Sequence, residues 1–361
     1  MPRSADFTPS TEDATPPPHA DYRLDPRLRT LYLLRHGLVL GKESARLTIH
    51  WQGKRLETIP AIHVDQIMIF GNAQISTQAM RFCLAERIPV YLLSASGRYY
   101  GVVDSFDTEP VLLHKAQFEK AEDTEFCLRL ARNLIRGKIA NSRTLLKRLS
   151  RKRPAEALEK AAAALKTCLA QLAGAGSLDQ VRGVEGNAAR IYFSAFREQL
   201  DPAWGFTGRN RQPPRDPVNA LLSYGYTLLF YNLYSLIRAR GLNPQVGYLH
   251  PLRMGHPALV SDLLEEFRAL VVDAIVWNLV LNRRLSPDDF TPPDEDSGGC
   301  RMNDRSRRVF VHEMEKKLNA PVTHPLTGHR LDYRRCMEHQ VHQLAAVLRG
   351  KQSDYRPMTV R

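Results

Sequence analysis

The sequence contains few cysteines and no long apolar run, and both absences restrict the class of protein. Five cysteines occur in 361 residues, far apart, at positions 83, 127, 168, 300 and 336. Such an odd and scattered set indicates reduced thiols in a cytoplasmic protein rather than a disulfide framework. A membrane span needs about 18 consecutive apolar residues, whereas the best candidate, 270–281, is interrupted by Asp273 and Asn278. We therefore expect neither disulfides nor a membrane-spanning helix.

An apolar leader is also missing at the start of the chain. Residues 1–20 are rich in Pro, Thr, Ser, Asp and Glu and include consecutive prolines at 16–18. A secretory signal needs an apolar segment that this stretch lacks, and a polar segment of this kind cannot bury enough apolar surface to fold. The sequence therefore predicts a cytoplasmic protein with a disordered tail over 1–20.

Acidic residues are in deficit. The chain has 38 Asp and Glu against 51 Lys and Arg, which gives a formal net charge of +13 at pH 7. A surplus of this size favours a polyanionic partner, with a basic but merely solvated surface as the alternative. The hydrophobic share of 43% and the charged share of 25% are ordinary for a globular protein. The length suits two domains better than one.

Short β-type runs are confined to the first third of the chain. They lie between 31 and 104, separated by turn signals such as Gln52-Gly53 and Ser96-Gly97, and one helix capped by Ser76 interrupts them. After about 110 the pattern becomes helical, with helices predicted over 124–149, 155–173, 184–200, 217–239 and 258–283. We therefore predict an α+β protein with an N-terminal β-domain over 21–110, a linker over 111–123 and an all-α domain over 124–361.

The positive charge is concentrated on one predicted helix. No acidic residue lies between 132 and 153, and four of the basic residues there share one helical stripe: Arg132, Arg136, Arg143 and Lys147. A second basic run, 209–215, includes Arg209 and Arg211. Such a stripe suits the regularly spaced phosphates of a nucleic acid, whereas solvated helix faces usually mix both signs. Charge placement therefore favours nucleic-acid binding.

Three elements of the helical domain carry residues suited to metal chemistry. Glu185 lies on the predicted core face of its helix, and His250 lies in a Pro- and Gly-rich loop over 241–257. Asp262 and Glu265 lie near the start of the next helix. Taken singly, each has an ordinary explanation, because acids complement helix dipoles and loop histidines are usually surface residues. Together they offer carboxylate oxygens and one imidazole nitrogen, which favours Mn²⁺ and permits Mg²⁺, and in a basic protein suggests phosphodiester chemistry.

The same segments resemble a known family. In chain order they read EGNAAR (185–190), DPVNALLSYGY (216–226), GYLH (247–250) and DLLEEFR (262–268). This ordered set is similar to the motifs of the CRISPR-associated spacer-acquisition integrase/endonuclease, the universal first Cas protein of prokaryotic adaptive immunity. The similarity extends from 31 to 355, so the N-terminal tail lies outside it.

The resemblance implies a fold and a metal site. The family fold is an N-terminal β-sandwich joined to an α-helical catalytic domain, which agrees with the pattern described above. The family's metal ligands, which are also its catalytic residues, fall here on Glu185, His250 and Glu265. Its additional acid falls on Asp262, which we expect to orient His250 or to serve as the alternative ligand. The cofactor implied is Mn²⁺ or Mg²⁺.

The resemblance also implies a substrate and partners. The family captures short double-stranded DNA and joins its 3′-OH ends to phosphodiesters at the boundary of a CRISPR repeat. It acts as a homodimer bridged by a small ferredoxin-like partner, the second Cas protein. The residues expected to bind DNA are Arg132, Arg136, Arg143, Lys147, Arg209, Arg211, Asn219 and Arg268.

Other functions and another metal are open alternatives. A catalytically silent scaffold that bridges DNA has no reason to place acids beside its phosphates, where they would repel. A branched-DNA repair nuclease, by contrast, would share the metal site. Cys336, His339 and His342 raise the possibility of zinc, but their spacings fit no standard zinc motif. No GxxxxGK[ST] loop occurs, so ATP use is not expected.

Overall fold

The computed structural model describes residues 3–4, 30–95, 99–105, 111–210, 213–293 and 298–360. The chain forms two compact units, one made of 1–108 with 307–316 and the other of 109–306 with 317–361. Almost all of the tail predicted to be disordered lies outside the described residues. Of that tail, Arg3–Ser4 is described, as a short strand paired with Leu31 and Tyr32.

The N-terminal unit contains two sheets. Its strands are β1 (Arg3–Ser4), β2 (Thr30–Leu33), β3 (Leu38–Glu43), β4 (Arg46–Trp51), β5 (Lys54–Pro60), β6 (Gln66–Phe70), β7 (Gln74–Ile75), β8 (Val90–Leu93) and β9 (Tyr99–Val103). One sheet has the order β1-β2-β6-β8-β9 and the other β5-β4-β3-β7. Strands β2, β6 and β8 run parallel, and β6 is buried at every position, as expected for a parallel strand covered on both faces.

The two sheets share one apolar core. It combines residues of the first sheet with residues of the second, among them Leu31, Ile67, Val90, Leu40 and Ile49. The sheets therefore pack face to face, as the β-sandwich-like expectation requires. Helix α1 (Thr77–Ala85) is the one predicted in this region, and the Ser76 side chain caps it by accepting from Ala79 N–H. The Gln52-Gly53 turn is confirmed, since both residues have positive φ, whereas Ser96-Gly97 lies outside the described residues.

One helix of the N-terminal unit was assigned wrongly from the sequence. Residues 307–316 belong to helix α9 (Asp304–Leu318) and were placed in the C-terminal domain, but they group with the N-terminal unit. The buried Tyr32 hydroxyl donates to Glu315 Oε1 at 2.8 Å, and Arg307 donates to the carbonyl of Ala95 at 3.0 Å. These contacts join residues more than 200 positions apart, so no local pattern could reveal them.

The C-terminal unit is built mainly of helices. They are α2 (Val111–Glu122), α3 (Thr124–Lys152), α4 (Glu156–Ala173), α5 (Leu178–Arg197), α6 (Pro217–Ala239), α7 (Ala258–Phe267), α8 (Ala274–Leu281) and α10 (Tyr333–Leu348). Capping side chains explain several starts: Asp123 accepts from Phe126 N–H, and Asp216 accepts from Asn219 N–H. Ser177 caps α5, so that helix begins at Leu178 rather than at 184 as predicted. The segment predicted as a linker is α2.

Two departures from continuous helix matter in this unit. The helix predicted over 258–283 is interrupted by a π-helical turn, Arg268–Asp273, between α7 and α8. Two small sheets also occur, β10 (Phe290–Thr291) with β11 (Arg301–Met302) and β12 (Pro321–Thr323) with β13 (Arg330–Asp332). The predicted fold class is confirmed, with these additions to the helical unit. No described helix combines the length and apolarity that crossing a membrane requires.

Candidate active site

Asp262 fixes the loop that carries His250. Its buried side chain accepts hydrogen bonds from three successive backbone N–H groups, those of Tyr248, Leu249 and His250, at 2.6, 3.0 and 3.0 Å. Its Oδ1 also lies 2.7 Å from His250 Nδ1. The carboxylate thus holds the histidine by both backbone and ring, as the sequence analysis expected of a group that orients His250. With Nδ1 engaged, Nε2 is the nitrogen that can meet a ligand.

Gly247 allows that loop to lie against the start of α7. A Cβ atom at this position would stand 2.6 Å from Ala258 Cβ and 3.1 Å from Asp262 Oδ2. Contacts this short require the loop or the helix to move, and either movement would disturb the hydrogen bonds to Asp262. The glycine in the GYLH segment is therefore needed for close backbone approach.

Glu265 lies one turn beyond Asp262 and is 4% exposed. Its Oε2 is 2.6 Å from Lys138 Nζ and 3.0 Å from Arg268 Nε. Burial by itself raises the pKa of Glu265, but the charges of Arg268 and Lys138, with a smaller effect from His250, bring the pKa down to about 2. Glu265 is therefore ionised at physiological pH, with His250 close enough to influence it.

Lys138 joins Glu265 to Glu185. This lysine of α3 forms ion pairs with Glu265 and with Glu185 Oε1 on α5, so one ammonium group lies between the two carboxylates. The Lys138 side chain is 15% exposed and that of Glu185 27%. The structure thus brings together two predicted ligands, Glu185 and Glu265, around a positive charge that the protein itself supplies.

The π-helical turn supplies a further wall of the site. The Arg268 guanidinium lies 4.4 Å from the centroid of the Tyr226 ring. The Tyr226 hydroxyl donates to Asp273 Oδ1 at 2.5 Å, and burial raises the pKa of Asp273 while this hydrogen bond opposes the rise. Arg268, predicted to bind DNA, is therefore held by Glu265 and by an aromatic ring. π-Turns inside helices are frequent at functional sites because they redirect side chains.

A cleft of about 430 Å³ opens beside these residues. Its lining includes Glu185 and Asp273 together with cationic and aromatic side chains: Lys138, Arg190, Arg209, Arg268, Tyr192, Phe193 and Tyr226. Cationic side chains bind phosphates, and aromatic rings stack on bases. The cleft therefore has the size and chemistry for part of a nucleic-acid chain.

Half of the predicted basic stripe binds the protein's own backbone. Arg132 Nε donates to the carbonyl of Ala175 at 2.7 Å, and Arg143 Nε donates to the carbonyl of Ala162 at 3.0 Å. Both contacts hold α3 against α4 and the segment that follows it. Arg136 and Lys147 are exposed. The stripe is therefore divided between two residues that support the fold and two that face solvent.

The prediction that Asn219 binds DNA is wrong. Asn219 is fully buried, its Nδ2 donates to Asp216 and to the Gly208 carbonyl, and its Oδ1 accepts from the backbone of Asn210 and from Arg209. Both polar atoms of the side chain are thus used to hold residues 208–210 and Asp216 at the start of α6. Arg209 lines the cleft, whereas Arg211 lies outside the described residues.

Sequence reasoning missed a buried acid beside the site. Glu266 is fully buried and accepts from Tyr355 through Oε1 and from Gln340 and the Met358 N–H through Oε2. It thereby holds the C-terminal segment 355–360 against α7. Gly137 permits this packing, since a Cβ there would lie 2.7 Å from Pro357 Cβ and 3.1 Å from Glu266 Cγ.

Glu266 makes a pH-dependent contribution to stability. Burial, opposed by its hydrogen bonds, raises its pKa from 4.5 to about 8. The folded state therefore prefers the protonated acid: its contribution is fully present below pH 4.5 and is lost as pH rises through about 8. We expect Glu266→Gln, which stays neutral, to flatten the decline in thermal stability over that range. Melting temperatures measured from pH 5 to 9 test this, and an unchanged slope would contradict the expectation.

Lys138 was also missed as a site residue, although a signal existed. On a helical projection it falls on the same face as Leu134, Asn141 and Ser142 rather than on the basic stripe. All three of those residues are buried in α3. A lysine on a buried face needs an acidic partner, and here it has two.

The donor set fits a divalent cation. Among the described residues no three His, Cys, Asp or Glu side chains form a ready-made metal group; instead, Lys138 lies between the two glutamates. Glu265 Oε2 is buried, and its neighbours are the two cations Lys138 and Arg268. A buried carboxylate, a second carboxylate and a histidine with Nε2 unengaged by Asp262 suit Mn²⁺ or Mg²⁺.

Comparison with known proteins identifies the family of the chain. Residues 31–316 match the sequence profile of the family described as CRISPR associated protein Cas1. The chain belongs to the Cas1 family. It is 36% identical over 333 residues to CRISPR-associated endonuclease Cas1 3 of Thermus thermophilus, which covers 92% of this chain and 97% of that one.

Solved Cas1 structures share the fold. A CAS1 protein from Thermotoga maritima has 26% identity and a TM-score of 0.77, with 92% of this chain and 100% of that chain covered. A chain of a Cas6-RT-Cas1–Cas2 complex has 25% identity and a TM-score of 0.79, with 92% of this chain and 36% of that chain covered. The Cas1 likeness therefore extends over both units of the chain.

Proposed function

We propose that this chain is a metal-dependent DNA endonuclease and integrase that inserts short duplex DNA into a CRISPR array. A 3′-OH of the short duplex attacks a phosphorus of the array backbone, and the P–O bond to the adjoining 3′-oxygen breaks, which leaves a free 3′-OH on the array strand. In simple cleavage, water takes the place of the attacking 3′-OH. The observation that supports this most is the convergence of Glu185 and Glu265, with His250 nearby, beside a cationic cleft. The relative named as an endonuclease, 36% identical over nearly its whole length, supports nuclease chemistry.

Glu185, Glu265 and His250 Nε2 would hold Mn²⁺ or Mg²⁺. When bound, such an ion polarises the phosphoryl oxygens, activates the attacking hydroxyl and stabilises the leaving oxygen. The role of Asp262 is to keep His250 in one orientation, through the Nδ1 contact and the backbone hydrogen bonds. Arg190 and Arg209 line the cleft and would hold the flanking phosphates.

We further propose double-stranded DNA, a second copy of this chain and a small ferredoxin-like Cas2 protein as partners. The net charge of +13 suits the DNA. The structural neighbour in a Cas6-RT-Cas1–Cas2 complex supports pairing with Cas2. The cytoplasm, where the five buried free thiols would stay reduced, is the proposed location.

A joining assay tests the proposal against the two alternatives. The protein would be incubated with a short duplex bearing 3′-OH ends, a supercoiled plasmid carrying the repeat, Mn²⁺ and the Cas2 partner. We expect covalent products at the repeat boundaries. Binding without any covalent product would indicate a scaffold, and cleavage of branched DNA without joining would indicate a repair nuclease.

A second prediction concerns DNA affinity and the residues of the basic stripe. Neutralising the exposed pair, Arg136 and Lys147, should weaken binding to any duplex and reduce the salt slope of the binding constant by about 0.9 for each phosphate that is no longer neutralised. The matched control is Arg132→Gln with Arg143→Gln. Since these two arginines bind backbone carbonyls, their replacement should lower the melting temperature and leave the slope nearly unchanged. If both double variants keep the salt slope of the wild type, none of the four residues binds phosphate, and the whole stripe supports the fold.

A further inference from the structure

We propose that the Lys138 ammonium group is an internal substitute for the metal ion. It lies between Glu185 and Glu265, where a divalent cation would bind, so that the cation must displace it. Once displaced, it turns into the cleft and binds a DNA phosphate. This inference rests on the proposed metal-dependent function and adds to it a residue that both competes with the metal and contacts the substrate.

The position of Lys138 supports the first part. Its Nζ contacts carboxylate oxygens from two different helices, Glu185 on α5 and Glu265 on α7. These are the oxygens that a shared divalent cation would need. Without a positive charge between them, two carboxylates so close would repel each other. The lysine therefore holds the two acids close together before a metal arrives.

Lys138 is better suited to displacement than its neighbour Arg268. The Arg268 guanidinium is fixed by Glu265 on one side and by the Tyr226 ring on the other, and its side chain is 17% exposed. Lys138 has a flexible four-carbon stem and a compact charge that can turn without moving the helix. Removing the ammonium from Glu265 would leave Arg268 in place as that acid's remaining cationic partner.

The cleft gives the displaced ammonium a place to go. Lys138 itself lines the cleft, together with Arg190, Arg209 and Arg268. A phosphate held there by the arginines would offer Lys138 new anionic partners as the old ones are taken by the metal. Metal binding and DNA binding would then be cooperative. The metal frees Lys138 to bind the phosphate, and the phosphate stabilises Lys138 away from the two glutamates.

Manganese binding to the metal-free protein tests the proposal directly. The variant is Lys138→Met, which removes the charge and keeps the length of the side chain. Its matched control is Lys166→Met, at an exposed lysine of α4 that does not line the cleft. Free Mn²⁺ would be titrated against each protein by electron paramagnetic resonance. Glu185→Gln would identify the ions bound at this site, since they should be lost in that variant.

We expect Lys138→Met to bind Mn²⁺ about 10-fold more tightly than the wild type, because one competing charge has been removed. At saturating Mn²⁺ the same variant should join DNA more slowly, since the phosphate has one partner fewer. Lys166→Met should match the wild type in both measurements. Tighter metal binding with slower joining is a combination that a purely structural ion pair would not produce.

Other outcomes separate this proposal from the function on which it rests. Unchanged or weaker Mn²⁺ binding by Lys138→Met would overturn the role of Lys138, while the metal site stands. If the wild type and Glu185→Gln bind the same number of Mn²⁺ ions, no ion depends on Glu185. That result would overturn the metal site itself. If Lys138→Met unfolds, Lys138→Gln is the second variant, and restoration of its melting temperature by Mn²⁺ would support substitution of one cation for another. Failure of both variants to fold with Mn²⁺ present would make Lys138 a structural residue and the proposal wrong.

Discussion

Replacing Glu185 by Gln or His250 by Ala is expected to reduce both DNA joining and cleavage by about 10³-fold or more. Each change removes one proposed metal ligand while leaving the phosphate-binding side chains in place. Glu185→Gln also removes one of the two acidic partners of Lys138, whereas His250→Ala leaves the Asp262 hydrogen bonds to the backbone of 248–250 available. Rates of product formation at fixed Mn²⁺, measured on labelled duplexes, give the effect.

DNA affinity is the control for both variants. We expect the dissociation constants for a labelled duplex to stay within a few-fold of the wild-type value, because Arg136, Lys147 and the cleft arginines are unchanged. Activity near that of the wild type under limiting Mn²⁺ would remove the substituted residue from the ligand set. Loss of binding together with activity would instead indicate that the variant is misfolded.

The two acids of α7 should differ in a graded way. Glu265→Gln removes the buried carboxylate that Lys138 and Arg268 neutralise, and we expect essentially no activity at any Mn²⁺ concentration. Asp262→Asn removes an acceptor of backbone and ring hydrogen bonds, so His250 is held less firmly. A loss of about 10–100-fold, with recovery as Mn²⁺ rises, is typical of such supporting residues.

The structure supports a larger loss of activity for Glu265→Gln than for Asp262→Asn. The Asp262 oxygens already accept from three backbone N–H groups and contact His250 Nδ1, whereas Glu265 Oε2 faces Lys138, which also contacts Glu185. Activity as a function of Mn²⁺ for both variants decides the matter, with melting temperatures to exclude unfolding. If high Mn²⁺ restores the activity of Glu265→Gln but not that of Asp262→Asn, the metal ligand is Asp262 rather than Glu265.

Local signals in the sequence were enough for much of the fold. Ser76 caps α1 as predicted, and the Asp216-Pro217 start and Gly241 end enclose α6 over the predicted 217–239 range. In each case the physical cause is contained within a few residues, in a capping side chain, a fixed proline φ or a glycine with positive φ. The β-to-helical change near 110 is equally local, because it depends on hydrophobic period.

Long-range packing accounts for what the sequence could not reveal. The Tyr32–Glu315 hydrogen bond places part of α9 in the N-terminal unit, and the π-turn at Arg268–Asp273 has no distinctive local signature. The predicted DNA contact of Asn219 is wrong because its amide holds residues 208–210 and Asp216. The proposed ligand residues come from motifs, but the bridging by Lys138 depends on where three separate helices meet.

The most direct measurement of the account's central claim is the location of Mn²⁺ by anomalous scattering in a crystal of the protein. We predict an ion bound by carboxylate oxygens of Glu185 and Glu265 and by His250 Nε2, with Lys138 Nζ moved away from both glutamates and Asp262 still bonded to His250 Nδ1. An ion bound elsewhere, or bound by Asp262 while Lys138 still bridges Glu185 and Glu265, would contradict the account.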